Sequence, residues 1–227
     1  MMDLEILQTG DGSDTLYNSA LNESYHSTFG AIQESRFIFI DQGLRSAFQT
    51  FQQEPLQILE IGFGTGLNAF LTQMEAEKTG RKVTFSSLEA YPLPPEIWQQ
   101  LNYPRQFYPI DCTAQFYQLH QAAWNQPEDI SAHFILHKMA VTLEVFTPKD
   151  NFFHGVFFDA FSPAVQPELW SESVFKKIFT GMKSGATLMT YSVKGSVVRA
   201  LKSAGFTVEK RPGPPGKRHI LCATKII

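Results

Sequence analysis

The chain has 227 residues, 43% of them hydrophobic, which suffices for one domain with a full core. No run approaches the ~18 apolar residues of a membrane span, and residues 1–10 lack the basic flank and apolar stretch of a signal peptide. Cys112 and Cys222 carry no metal or disulfide spacing and read as reduced thiols of a cytoplasmic protein. The net charge of −3 hides a division: residues 171–227 hold eleven Lys/Arg against Glu172 and Glu209, while residues 1–170 hold eight against twenty Asp/Glu. A basic end on an acidic body suggests an anionic partner on one side, a clustered solvated surface being the alternative.

Along the chain, Leu4–Gln8 and residues 15–17 flank Gly10-Asp11-Gly12-Ser13 and predict a small hairpin. Phe37, Ile40, Leu44, Phe48 and Phe51 repeat at helical spacing, so residues 34–51 read as a helix despite Gly43, with Pro55 stopping it. Residues 1–55 thus read as an appended segment packing on a Rossmann-like domain over residues 56–227. There, residues 57–61 form a short apolar strand, 67–78 a helix and 82–88 a second strand. Residues 95–101 and 113–124 are helical stretches, and residues 134–146 contain strand material without a clear division. Residues 155–158 are a fully apolar strand, 167–182 a helix and 186–191 a strand. Ser196 is placed to cap a helix that Gly205 ends. Residues 207–210 and His219–Thr224 close the chain as a hairpin around Gly213-Pro214-Pro215-Gly216. Strands alternating with helices imply a mostly parallel sheet covered on both faces, and a hairpin with no intervening helix makes one strand antiparallel. This α/β arrangement resembles class I methyltransferases, which implies a seven-stranded sheet ending in an antiparallel hairpin.

Glu60-Ile61-Gly62-Phe63-Gly64-Thr65-Gly66-Leu67-Asn68 leaves a strand and enters a helix. Its glycines permit positive φ and let a ligand approach the bare backbone. A dinucleotide fingerprint would need glycine where Leu67 stands, which disfavours a dinucleotide-dependent oxidoreductase. The G-x-G-x-G pattern, with an acidic residue two positions ahead, instead resembles the first motif of class I methyltransferases and implies S-adenosylmethionine as cofactor. Glu89 follows the second strand, where this fold presents a carboxylate to both ribose hydroxyls; an ordinary strand-end glutamate is the alternative. Glu60 sits inside an apolar strand, so its burial demands a partner. It either helps orient the methionine end of the cofactor or is a structural carboxylate, and the residues leave both open.

The strand at 155–158 runs into Asp159-Ala160-Phe161-Ser162-Pro163. This turn resembles that of N-methyltransferases, which implies that Asp159 aims the lone pair of a target amine. Phe161 is then free to stack on a flat base, or else belongs to the core. Six segments occur in order: residues 62–68, Leu88-Glu89-Ala90-Tyr91-Pro92-Leu93, residues 159–163, Pro167-Glu168-Leu169-Trp170, Gly205-Phe206 and Lys217-Arg218. Together with Tyr25, Ser27, Gly30 and Glu34 they resemble the methyltransferase half of the bifunctional enzymes that complete 5-methylaminomethyl-2-thiouridine at the tRNA wobble position. The resemblance covers about residues 25–225, and since the chain stops at Ile227 the stand-alone form is expected.

The resemblance implies methyl transfer to the amine of 5-aminomethyl-(2-thio)uridine, with tRNA as partner and another enzyme supplying the aminomethyl precursor. It also implies cofactor contacts from Gly62, Gly64, Gly66, Asn68 and Asp150. Asp150 is aligned with the adenine-contacting acid, although Thr147-Pro148-Lys149-Asp150 leaves a shorter loop than that family has. Tyr25 and Glu34 are implied on the substrate side. Lys210, Arg211, Lys217 and Arg218 are expected to ring the mouth of the site, where phosphates neutralise them. The six histidines show no triad or metal spacing, and no metal is expected. The rival readings are a methyltransferase for a small-molecule or protein amine, and a non-catalytic nucleotide-binding protein.

Overall fold

The computed structural model describes residues 4–226; residues 1–3 and 227, the outermost residues of the two expected segments, lie outside the described residues. Strands β1 (Leu4–Gln8), β2 (Asp14–Asn18) and β3 (Glu23–Ser24) form a small antiparallel sheet, so the expected hairpin is present and gains a third strand. Asp11 ties the β1–β2 turn to the first turn of the first helix, its carboxylate accepting from Ser13 N–H at 3.0 Å and from Gln33 N–H at 2.8 Å. That helix runs over residues 31–50 as α1 (Ala31–Ser35), a π-helical stretch Arg36–Leu44 and α2 (Arg45–Thr50). Gly43 is needed inside it. A Cβ there would lie 3.0 Å from the Phe157 ring and 3.3 Å from Met189 Cγ, so the missing side chain lets the helix lie directly on the sheet.

The remaining elements are β4 (Leu56–Ile61), α3 (Leu67–Thr79), β5 (Val83–Leu88), α4 (Pro95–Trp98), α5 (Thr113–Gln121), β6 (Pro127–Ser131) and β7 (Phe134–Met139). After them come β8 (Phe153–Phe158), α6 (Glu172–Gly181), β9 (Met182–Thr190), α7 (Gly195–Ser203), β10 (Thr207–Pro212) and β11 (His219–Thr224). The stretch expected as one helix over 167–182 is divided. A 3₁₀ turn at Pro167–Trp170 precedes Ser171, whose Oγ accepts from Val174 N–H and caps α6. Ser196 does not cap α7, because Lys194 holds the N-cap position and Ser196 already lies in the first turn. Gly205, at φ +105°, does end that helix, with Phe206 N–H bonded to Leu201 O at 3.1 Å and Gly205 N–H to Lys202 O at 3.0 Å.

The large sheet has the order β10-β11-β9-β8-β4-β5-β7-β6. Strands β4, β5, β7, β8 and β9 pair in parallel, and β11 runs antiparallel to both β9 and β10. One strand exceeds the expected seven: β6 is a polar edge strand in which only Ile130 is buried, so no apolar alternation marks it. The centre is covered on both faces. Phe157 of β8 packs on Phe39 and Phe85, and its neighbour Phe158 packs on Trp170 and Phe175 across the sheet. Between β4 and β8 the strand order reverses direction, which opens a crevice at their carboxyl ends.

Candidate active site

At that crevice lies a cavity of about 710 Å³. Strand β4 leads into its floor, which Gly62 and Gly64 line; Gly66 and Glu60, also expected at the cofactor, lie behind the lining, and the three glycines all have positive φ, at +94°, +49° and +74°. Two of them are also demanded by close approach. A Cβ on Gly62 would lie 2.9 Å from the main-chain oxygen of Asp159, and one on Gly66 would lie 2.8 Å from His120 Nε2. His120 itself is stacked on Trp98 and donates from Nε2 to Thr65 O at 3.1 Å. Burial chiefly, with the nearby Lys138 charge, pulls its pKa down to about 3, so it supports the turn as a neutral ring.

Glu89, at the end of β5, is held by two main-chain amides. Gly64 N–H donates to Oε2 and Tyr91 N–H to Oε1, each at 2.9 Å, and the half-buried carboxylate lines the cavity. Glu60 is buried in β4, and its register neighbour Ser87 donates a hydroxyl hydrogen bond to Oε2; the loop amides do not reach it. Oε1 has no hydrogen-bond partner among the described residues. Burial, reinforced by the charges of Asp159 and Glu89, raises its pKa well above the ordinary carboxyl range. Asn68, in the first turn of α3, reaches the turn after β8: Nδ2 donates to Asp159 Oδ2 at 2.8 Å, and Oδ1 is buried without a hydrogen-bond partner.

Asp159 follows β8 directly, its N–H bonded to Ile61 O at 3.1 Å. Burial first, then the Glu34 charge, pushes its pKa up to about 7 against the opposing effects of the Asn68 hydrogen bond and the Lys217 charge. Phe161 is no core residue. It lines the cavity, its main-chain oxygen accepts from Trp170 Nε1 at 2.8 Å, and its ring meets Tyr25 edge-on at 5.0 Å. Tyr25 lies against the glycine turn, 3.2 Å from where a Gly64 Cβ would stand. Glu23 fixes the turn that follows Asp159, its carboxylate accepting from Ser162 N–H at 3.1 Å and from Ser162 Oγ at 2.9 Å. Glu34 accepts from Ser27 N–H at 2.7 Å and pairs with Lys217 Nζ at 3.0 Å.

Two expectations need correction. Asp150 does not line the cavity. It sits exposed in the turn before β8, at the strand end opposite Asp159, where its charge acts on Lys225. After β7 the chain passes the cavity at Val141, Thr142, Leu143 and Glu144, then crosses to the far edge to begin β8; these four line the wall where Asp150 was expected. Nor do four basic residues ring the mouth. Only Lys217 lines the cavity. Arg211 is engaged with Glu209 at 2.9 Å and with Gln42, and its strand neighbour Lys210 belongs to the opposite face of β10. Arg218 is exposed outside the cavity.

Sequence reasoning missed Glu23 and Tyr191. Tyr191 stands just past the carboxyl end of β9, where strand-end residues reach such sites, and its hydroxyl donates to Ala160 O at 2.9 Å. The lining is strongly acidic: Glu23, Glu34, Glu89, Glu144, Asp159 and Glu168 face one lysine. Such a lining favours a cationic ligand and repels phosphate.

Comparison with known proteins bears on family and fold. Residues 113–226 match the model of a family described as S-adenosyl-L-methionine-dependent methyltransferase. The tRNA 5-methylaminomethyl-2-thiouridine biosynthesis bifunctional protein MnmC of Aromatoleum aromaticum is 33% identical over 93% of this chain, and that of Actinobacillus pleuropneumoniae 30% over 95%. The chain spans about a third of the length of these relatives, 34% in each case. Among solved structures, MnmC2 from Aquifex aeolicus superimposes with a TM-score of 0.78 at 24% identity, covering 99% of this chain and 71% of that one. Spermidine synthase from Thermotoga maritima gives 0.55 at 14% identity, over 93% of this chain and 68% of that one. Both share the fold.

Proposed function

From the premise that the chain belongs to the S-adenosyl-L-methionine-dependent methyltransferase family, we propose that it methylates the amine of 5-aminomethyl-(2-thio)uridine at the tRNA wobble position. The observation that carries this reading is Asp159, a carboxyl held near 7 in an acidic cavity beside the glycine turn. The relatives' names supply the nucleoside. In this reading residues 1–55 are an appended segment on a catalytic domain of residues 56–227. The protein acts in the cytoplasm, and a separate enzyme installs the aminomethyl group it receives. Among the described residues no helix is long and apolar enough to cross a membrane, and no cluster of His, Cys, Asp and Glu is arranged to hold a metal.

The residues fit the cofactor. Gly62 and Gly64 leave the backbone bare at the cavity, Glu89 offers paired acceptors to a vicinal diol, and Asn68 Oδ1 is a buried, cavity-lining acceptor without a partner. S-Adenosyl-L-methionine, when bound, supplies an electrophilic methyl group on a cationic sulfonium. The chain's own part is to present a neutral amine in line with it. Oriented pairs reach effective molarities of ~10⁵–10⁸ M, so positioning is the largest effect available. Asp159, aimed by Asn68 and by the Glu23-fixed turn, orients the amine. With its pKa near 7 it is also matched to accept the amine's proton at neutral pH. Phe161 and Tyr25 bound the space for the base. Lys210 and Arg218, outside the acidic cavity, are left to contact phosphate.

The test is to incubate the protein with labelled cofactor and bulk tRNA from cells lacking the endogenous methyltransferase, and then to analyse the nucleosides. Label in 5-methylaminomethyl-(2-thio)uridine is expected. Transfer to free amines with none to tRNA would overturn the tRNA reading in favour of a small-molecule enzyme. Cofactor binding without transfer to any acceptor would overturn catalysis itself.

A further inference from the structure

Lys217 is the only cation among the cavity-lining residues, and its setting is wrong for a phosphate contact. Its Nζ lies 3.0 Å from Glu34 Oε1 and 5.0 Å above the centre of the Tyr191 ring, and its charge is felt by Asp159. A phosphate brought to that point would meet the Glu34 carboxylate and feel the Asp159 charge.

The surroundings are fixed without the lysine. Glu34 is only 8% exposed, and Ser27 N–H holds its Oε2, which leaves Oε1 aimed at the ammonium with no other hydrogen-bond partner among the described residues. The Tyr191 ring is fixed through its hydroxyl on Ala160 O. Asp159 is fixed by Asn68. The Lys217 main chain is fixed as well, since its N–H bonds to Pro214 O at 2.9 Å and the following strand is anchored on β9. The turn also rests on the appended segment at Gly216, where any Cβ would strike the Phe29 ring. The one soft element is the lysine stem.

A carboxylate in contact and an aromatic face, with the charge of a second carboxylate acting from farther off, are a receptor for an alkylammonium, joining a charge-assisted contact to a cation–π contact. A lysine ends in a primary amine on a methylene, and so does the aminomethyl group of the proposed substrate. We propose that the corner formed by Glu34, Asp159 and Tyr191 is the amine-binding subsite of this enzyme, and that Lys217 fills it as an internal surrogate which the substrate amine displaces. The identity of the physiological amine rests on the function proposed above; the corner's affinity for a primary ammonium does not. Two ammonium groups cannot share the corner, because like charges a few ångströms apart repel. Entry of substrate therefore requires the Lys217 stem to swing outward. The hairpin turn gates the subsite by competition, with no closing of a lid.

The experiment uses n-butylammonium, which has the length and charge of the lysine stem, with n-butanol as the uncharged control. Binding to the full chain is measured by calorimetry for the parent, Lys217→Ala and the double variant Lys217→Ala/Glu34→Gln. Lys217→Ala is expected to bind n-butylammonium at least about tenfold more tightly than the parent. Neither protein should bind n-butanol, and the double variant should lose the gain. Equal affinity in parent and Lys217→Ala would overturn the proposal, as would a gain for n-butanol. If Lys217→Ala does not fold, Lys217→Ser makes the same opening and is read in the same way. In parallel, Lys217→Ala should lower the KM for an anticodon stem-loop carrying 5-aminomethyluridine several-fold. A rise in that KM means that Lys217 grips RNA, and overturns the surrogate role. If the parent methylates no aminomethyluridine RNA at all, the substrate reading fails, while the butylammonium comparison still decides the subsite.

Discussion

The β4–β5 wall of the cavity is fixed over short stretches of chain, and the wall facing it is fixed across nearly the whole chain. On the first, Glu89 takes main-chain amides from Gly64 and Tyr91, and the glycine turn is set by its own backbone angles. On the second, Glu23 reaches Ser162, Tyr25 meets Phe161, and Glu34 pairs with Lys217. The first wall is built mainly within one strand–helix–strand unit, with His120 packed behind it; the second exists only after distant parts of the chain have met. Local opening can therefore loosen the Glu23, Tyr25 and Glu34 contacts of the second wall while the first wall and the β4–β8 pairing stay standing. Damage to the first should appear as lost cofactor affinity, and damage to the second as lost turnover.

The sharpest division is expected at Asp159. Asp159→Ala should lower turnover by about 10²–10⁴-fold, the range of acid–base and orienting groups, with cofactor affinity within about twofold of the parent by calorimetry. Loss of both together would merge the two walls into one functional unit. In the parent, turnover should rise with pH through about 7 as the carboxyl ionises. Stability should move the other way. The folded-state pKa lies above the ordinary 3.8, so the carboxyl stabilises the fold in acid and that contribution is lost as pH rises through 7. Asp159→Asn should then melt higher than the parent at pH 8, with the gain shrinking as pH falls toward 4.

Next in size is Gly62→Val. It places a branched side chain at φ +94° against a main-chain oxygen that has no flexible end to yield. Strain of about 1–3 kcal/mol per such residue, together with the collision, should weaken cofactor binding about 100-fold or more. Unchanged calorimetric affinity in a folded variant would remove the cofactor from this turn. Glu89→Ala should weaken it less, on the order of 1–3 kcal/mol, because unpaired ligand hydroxyls can find water. The smallest effect is expected at Glu23. Glu23→Ala should cut turnover roughly tenfold, about 1.4 kcal/mol, by freeing the Ser162 turn. Glu23→Gln, which keeps an acceptor, should recover most of it. A change in cofactor KM that matches the change in kcat would show that the second wall supports the first.

The same short-range and long-range contrast explains what was legible before the structure. The glycine turn, Glu89 and Asp159 lie at strand ends whose apolar runs announce them, so their meeting is set by the order of strands alone. Asp150 failed because the distance between two strands does not reveal where the chain crosses the sheet. The crossing comes early, at residues 141–144, and carries Asp150 to the far edge. Lys217 reads in sequence as one of four basic residues at the mouth of the site, and its pairing with Glu34 draws it inward instead. Strand β6 escaped because an edge strand needs little apolar surface. Gly43, read as a weak point in a helix, is where that helix comes closest to the sheet.

Gly62 and Asp159 meet main chain to main chain, and Asp159 N–H is bonded to Ile61 O across the β4–β8 pair. The proposed seats of the methyl donor and of the acceptor are therefore two points on one stiff caliper. When the site breathes, both jaws travel together, and the gap that the methyl group must cross keeps its width.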